Sequence, residues 1–284
     1  MGGERPVVAV ATTGADAEEC AAQARAAREA GADLVELRAD LLAGPVAADP
    51  APAELARVWL EVARAVGEVL GDSGIPVLLT VRTAAEGGGL DLDDAAYRAA
   101  LAAVVAELTG DDGAACDVPG HEAGEDEDAP EPGGRGIGPI AAIDVELARG
   151  ELAGMVRLAR RGGLDVVASS HDFTSTPGEE ELTRRLRAMQ EAGAAVAKIA
   201  VTPADAPDVE RLLGVAARAR VELAIPIIAI AMGAAGAVTR LAGGIFGSAL
   251  TFATAGGPAS APGQLPVAQV RAALTETALH RNRH

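Results

Sequence analysis

The chain has 284 residues, 49% hydrophobic and 23% charged, which supplies enough apolar material for a large core and excludes global disorder. Forty-one acidic residues against 24 basic ones leave a net charge of -17, which argues against nucleic acid and anionic membrane surfaces as partners. The two cysteines, Cys20 and Cys116, are too few for a disulfide framework and form no CxxC metal knuckle, so a reducing cytoplasm is the expected compartment.

In chain order, short β-branched runs alternate with alanine-rich helical stretches. Residues 7–13 predict a first strand and 16–31 a first helix that opens on Asp16 and closes on Gly31. A strand over 34–40 and a helix over 52–71 follow, then strands over 76–83, 140–147 and 165–172. A helix over 178–193 leads to strands over 195–202, 226–232 and 249–256, and a final helix covers 266–281. Most strand candidates are near-continuous apolar runs, as expected of parallel strands buried on both faces. Eight strands each followed by a helix predict a single-domain (β/α)₈ TIM barrel; at roughly 150 residues per domain two domains would be possible, but barrels of this size form one. No GxGxxG follows the first strand, so a dinucleotide-binding open sheet has no support. The uncharged stretch 241–270 is broken throughout by Gly, Pro, Ser, Thr and Gln and is not a membrane span. Residues 1–6 carry no signal-peptide pattern.

Residues 110–138 break the rhythm. They hold nine acidic residues between Asp111 and Glu131, one base, Arg135, and no apolar periodicity, which predicts a disordered acidic insert between helix 3 and strand 4. His121 and Cys116 lie within it without forming a ligand set of recognised spacing.

Of the 24 basic residues, 23 are arginine and one is lysine, Lys198. Where arginine serves almost everywhere else, the surviving lysine is a candidate for chemistry that a permanently charged guanidinium cannot perform. Flanked by Ala197, Ile199, Ala200 and Val201, its charged form should be disfavoured by desolvation, and nearby arginines would add to that, leaving an amine able to attack a carbonyl. His171 ends the neighbouring strand and can move protons near neutral pH. Other polar residues collect at predicted strand ends: Glu36, Arg38 and Asp40; Arg82, with Glu86 beyond it; Asp144 and Glu146; Asp172. Arg240, Ser260 and Gln264 follow the last two strands. Glu36 and Arg38 share a strand face, as do Asp144 and Glu146, but alternation alone does not say which face looks inward. Asp40 and Asp144 read equally well as ion-pair partners closing the barrel interior.

The blocks VELRAD (35–40), TVRTAAEGG (80–88), IDVEL (143–147), SSHDFTSTP (169–177) and AKIAVTP (197–203), with the segment 231–264, resemble type I 3-dehydroquinate dehydratases over nearly the whole chain outside the insert. The resemblance implies a hydro-lyase of the shikimate pathway that needs no metal or organic cofactor and takes a small-molecule substrate. It makes Lys198 the Schiff-base lysine, His171 the general acid/base and Glu86 the group that orients His171. Arg240, Ser260 and Gln264 would hold the substrate carboxylate and ring, while Glu36, Arg38 and Arg82 would meet the ring hydroxyls. Asp144 and Glu146 would support. Members often form dimers, which makes a homodimer the expectation. Two positions depart from the family pattern: Ala11 stands where relatives can carry a serine, and Ile230 replaces a methionine near the ring, whereas Met232 is retained. Two alternatives remain open at this point. One is a Schiff-base aldolase using the Gly243-Gly244 or Gly256-Gly257 pair as a phosphate cradle; the other is a barrel that binds the metabolite without turning it over.

Overall fold

A computed structural model of the chain describes residues 5–43, 50–109 and 139–281. The predicted acidic insert, with His121 and Cys116, lies outside the described residues.

The predicted alternation is present throughout. β1 (Val7–Thr12), α1 (Ala17–Ala30), β2 (Leu34–Arg38), α2 (Pro52–Leu70), β3 (Val77–Thr80) and α3 (Asp94–Thr109) form the first half. The second half comprises β4 (Ile140–Glu146), α4 (Leu152–Arg161), β5 (Asp165–Asp172), α5 (Glu179–Glu191), β6 (Val196–Val201) and α6 (Ala206–Glu222). It continues through β7 (Ile227–Ala231), the short α7 (Ala237–Ala242), β8 (Leu250–Thr254), β9 (Leu265–Pro266) and α8 (Val267–Arg281). Asp16 caps α1 by accepting from the Glu19 N–H, and Gly31 closes it at φ +85°, a conformation that favours glycine. Asp205 caps α6 in the same way. The two-residue β9 was not predicted, being too short for any periodicity to show.

The sheet is parallel throughout, in the order β7-β6-β5-β4-β3-β2-β1-β8-β9. A parallel bridge between Ile227 and Ser248, with the Ala249 N–H donating to Ile227 O at 2.7 Å, links β7 to the approach to β8 and curls the sheet round on itself. Among the described residues no helix is long and apolar enough to cross a membrane.

Two cores result, and they settle which strand face looks inward. Residues such as Val35, Leu37, Leu79, Ile143, Ala168, Ala197 and Ile199 pack outward against the helices. Ala9, Leu34, Leu78, Ala142, Val167, Val196, Ile228 and Leu250 fill one end of the barrel interior. Each valine, leucine or isoleucine among them contributes roughly 1.5–3 kcal/mol on full burial. By the two-residue period of a strand, the next inward positions are Ala11, Glu36, Thr80, Asp144, Ser169, Lys198, Ile230 and Phe252. The polar layer therefore stands on an apolar floor, at the C-terminal ends of the strands where barrels of this class carry their chemistry.

Candidate active site

Lys198 is buried, and its Nζ lies 3.5 Å from Asp144 Oδ2 and 3.7 Å from Glu36 Oε1. The Phe252 ring centroid is 4.8 Å away, a cation–π contact. Glu36 is itself fixed by the Thr80 hydroxyl, which donates to Oε1 at 2.9 Å. This corrects the apolar setting expected for the lysine. Ala197, Ile199 and Val201 face the helices, because neighbours in a strand point to opposite faces. Inside the barrel the amine meets two carboxylates and one aromatic face.

Above it opens a cavity of about 580 Å³, part of it open to solvent. Eight of the predicted site residues line it: Glu36, Arg38, Arg82, His171, Lys198, Arg240, Ser260 and Gln264. The ninth, Glu86, stands behind His171. On β5 and β6, Ser169 pairs with Lys198 and His171 with Ala200. The imidazole thus rises two residues beyond the lysine on the neighbouring strand, an offset of about 6–7 Å.

Arg82 organises the charges. Strand β3 ends at Thr80, earlier than the apolar run 76–83 predicts, and its pairing with β4 stops at Leu79–Ile143. Past that point the Thr83 N–H and hydroxyl donate to the Glu146 carboxylate at 2.8 and 2.7 Å, in place of a backbone ladder. Arg82 continues the inward face of Leu78 and Thr80 at the same two-residue spacing. Its Nη2 donates to Asp144 Oδ1 at 2.9 Å, and Nη1 donates to Glu146 Oε1 at 2.9 Å, Ser169 Oγ at 3.0 Å and Glu86 Oε2 at 3.3 Å. The Ser169 hydroxyl donates on to Asp144 Oδ1 at 2.6 Å. Burial works against the Asp144 charge, but Arg82, Lys198 and these hydrogen bonds outweigh it and hold its carboxyl below the ordinary range. Asp144 is thus an ion-pair partner that also touches the lysine. Asp40 takes the ion-pair role, accepting from Arg38 Nε at 2.8 Å and Nη2 at 2.7 Å.

His171 is held by Glu86 twice. Glu86 Oε2 accepts from the His171 backbone N–H at 3.1 Å and lies 2.9 Å from ring Nδ1. Desolvation lowers the His171 pKa well below its ordinary 6.5, with Arg82, Lys198 and Arg38 adding to the shift. Burial also pushes the Glu86 carboxyl up to about 8 against the pull of Arg82, with Glu146 and Asp144 reinforcing the rise. Oε2 already receives two N–H groups, from His171 and Arg82, so a proton on Glu86 belongs on Oε1. The ring Nδ1 must then be a donor as well, which leaves Nε2 as the free basic nitrogen whichever state Glu86 is in.

Arg240 is almost wholly buried. Its Nη2 donates to Pro262 O at 3.0 Å, its Nε has no hydrogen-bond partner, and among the described residues no carboxylate pairs with it. Desolvation alone brings its pKa down to about 10. A buried guanidinium without a counter-charge is costly unless an anion completes it. Ser260 and Gln264 lie beside it and bind each other: the Ser260 N–H donates to Gln264 Oε1 at 3.0 Å, and Gln264 Nε2 donates to Ser260 Oγ at 2.9 Å.

A family model described as type I 3-dehydroquinase matches residues 8–117 and 135–280. The chain belongs to the type I 3-dehydroquinase family. Among its relatives, the 3-dehydroquinate dehydratase of Geobacillus thermodenitrificans is 34% identical over 276 residues, spanning 97% of this chain and 92% of the relative. The enzyme of the same name from Salmonella paratyphi B is 35% identical over 278 residues, with 97% and 94% covered. The crystal structure of 3-dehydroquinate dehydratase from Geobacillus kaustophilus superposes with a TM-score of 0.78 at 33% identity, over 97% of this chain and 92% of that one. A type I enzyme from Clostridium difficile, solved with covalently modified comenic acid, gives 0.79 at 28% identity over 99% and 95%. The stretch 118–134, inside the predicted insert, falls outside the family match.

As a type I 3-dehydroquinase, this chain carries several site features that the sequence did not disclose. Thr80, Phe173, Ala200 and Phe252 line the cavity, and Ser169 ties Asp144 to Arg82. Their inward position on strands or at the mouth was the only available signal. Asp172 ends β5, and its Oδ1 accepts from the Thr174 and Ser175 N–H groups of the turn that follows. The Gly243-Gly244 pair is no phosphate cradle: a Cβ on Gly244 would lie 2.3 Å from Pro6 Cγ, which places the pair by the start of β1, at the opposite end of the barrel from the site. Gly256 and Gly257 approach Ala26 and Gln23 of α1 and do not line the cavity. Of the two departures from the family pattern, Ile230 lines the cavity beside Met232, whereas Ala11 is absent from its lining. Among the described residues no group of three or more His, Cys, Asp or Glu is placed to hold a metal ion.

Proposed function

We propose that this chain removes water from 3-dehydroquinate to give 3-dehydroshikimate through a Schiff base on Lys198. The carrying observation is one buried lysine between two carboxylates, facing the same cavity as a neutral histidine on the adjacent strand.

Attack on the C3 ketone requires Lys198 to give up a proton; that proton returns to the carbinolamine hydroxyl, which leaves as water, and a protonated imine forms. His171 Nε2 takes the C2 proton, and the imine accepts the electron pair as an enamine. The electrons then return, the C1 hydroxyl departs, and His171 delivers its proton to that oxygen. Hydrolysis of the imine consumes the water released earlier, so the net change is one water eliminated. Arg240 supplies the charge for the substrate carboxylate, with Ser260 and Gln264 beside it. Glu36, Arg38 and Arg82 meet the ring hydroxyls. Turnover is tested directly by mixing the protein with 3-dehydroquinate and following the absorbance of the conjugated enone product; its absence at high enzyme concentration would sink the proposal.

Two further results are expected. A base must be unprotonated to act, and the His171 pKa lies well below 6.5, so the acid limb of kcat/KM should also lie well below pH 6.5. A limb at 6.5 or higher would remove His171 as that base. Second, Arg240→Met should raise KM roughly 100-fold, since an anion would lose its charge-assisted partner. The same change should leave stability unchanged or raise it by about 1 kcal/mol, because it removes a buried charge without a counter-charge. A melting temperature that falls steeply with KM unchanged would show that Arg240 serves the fold.

A further inference from the structure

The chain contains a single tyrosine, Tyr97, on α3. It is fully buried, outside the cavity lining, and its ring belongs to the core between the helices and the sheet. Its hydroxyl accepts from the Glu146 N–H at 3.0 Å and donates to Asp144 O at 3.4 Å. Both are backbone groups of β4, beyond the point where β3 has parted from that strand at Leu79–Ile143. There β4 keeps only β5 beside it as a strand partner, through Glu146–Ser169. One phenol hydroxyl thus takes the place of the missing strand, satisfying a donor and an acceptor that would otherwise be buried without partners.

The two residues it grips carry the carboxylates that anchor Arg82, and Arg82 in turn holds Glu86, which holds His171. Asp144 also reaches Lys198. From this juxtaposition we infer that Tyr97 is a positioning residue for the proton-transfer machinery: its hydroxyl fixes the β4 backbone at Asp144 and Glu146, and through Arg82 and Glu86 it sets the place of the His171 ring. A phenylalanine could fill the same core volume but could not make either hydrogen bond. Tyr97 therefore acts on the β4 backbone at the two residues whose side chains anchor Arg82.

This inference rests on the proposed dehydration, and the experiment keeps the two apart. Wild-type enzyme is first shown to turn over 3-dehydroquinate; if it does not, the dehydratase reading fails whatever Tyr97 does. With wild type active, Tyr97→Phe is expected to lower kcat about tenfold or more, within the range that small misplacements of catalytic groups can cost, with any rise in KM smaller than the fall in kcat. Borohydride trapping on Lys198 should remain undiminished, since imine formation does not require the His171 ring to be in register. The acid limb of the pH profile should move upward as the hold of Arg82 on His171 loosens. A kcat within twofold of wild type, even with a lowered melting temperature, would reduce Tyr97 to a core residue and overturn the inference. If Tyr97→Phe does not fold, growth on 3-fluorotyrosine alters the phenol at this position alone, because the chain has no other tyrosine. A kcat that changes by more than KM then supports the positioning role, and unchanged values of both overturn it.

Discussion

Lys198→Arg is expected to abolish turnover of 3-dehydroquinate, lowering kcat by roughly 10⁴-fold or more, while the protein stays folded. The guanidinium keeps a positive charge between Glu36 and Asp144, so neither carboxylate is left alone in the barrel, and Asp144 retains Arg82 and Ser169 in any case. What is lost is the ability to shed a proton and attack carbon, because a guanidinium stays protonated. Turnover and a melting curve on the same preparation check both halves. A fully active variant would exclude Lys198 as the nucleophile.

His171→Ala should separate the two stages of the reaction. Removing the ring takes away the group proposed to move the C2 proton, and general acid–base catalysis of this kind is worth roughly 10²–10⁴-fold, so kcat should fall by that amount. Lys198 keeps its own contacts with Asp144, Glu36 and Phe252, none of which involves the imidazole. The variant should therefore still accumulate a trappable imine. Undiminished turnover would remove His171 from its role, and loss of imine formation would show that it acts earlier than proposed.

The fold was legible because its signals are long and repeated. Apolar runs marked most of the eight barrel strands, and Asp16 and Gly31 marked both ends of a helix. The lysine was legible for a different reason, its isolation among 23 arginines. What did not show was anything that depends on which face of a strand turns inward. Ala197 and Ile199 suggested an apolar nest for Lys198, yet those side chains pack on the helices and the amine meets carboxylates from β2 and β4. Arg82 and Asp144 lie 62 positions apart, so no local pattern could announce their pairing. The early end of β3 at Thr80 was hidden because the apolar run continues through Val81, and tertiary contacts of Thr83 and Arg82 decide where the strand stops. Tyr97 read as an ordinary core residue of a helix; only the parting of β3 from β4 gives its hydroxyl a purpose.

The central claim is that catalysis passes through an imine on Lys198. Because the chain has one lysine, incubation with 3-dehydroquinate and borohydride can modify only that ε-amine or the N-terminal amine, and peptide mapping distinguishes them. A ligand-sized mass increase confined to the peptide containing Lys198 is the expected result. An unmodified Lys198 peptide, with ligand binding shown in the same sample, would contradict the Schiff-base mechanism and leave a barrel that holds the metabolite without reacting with it.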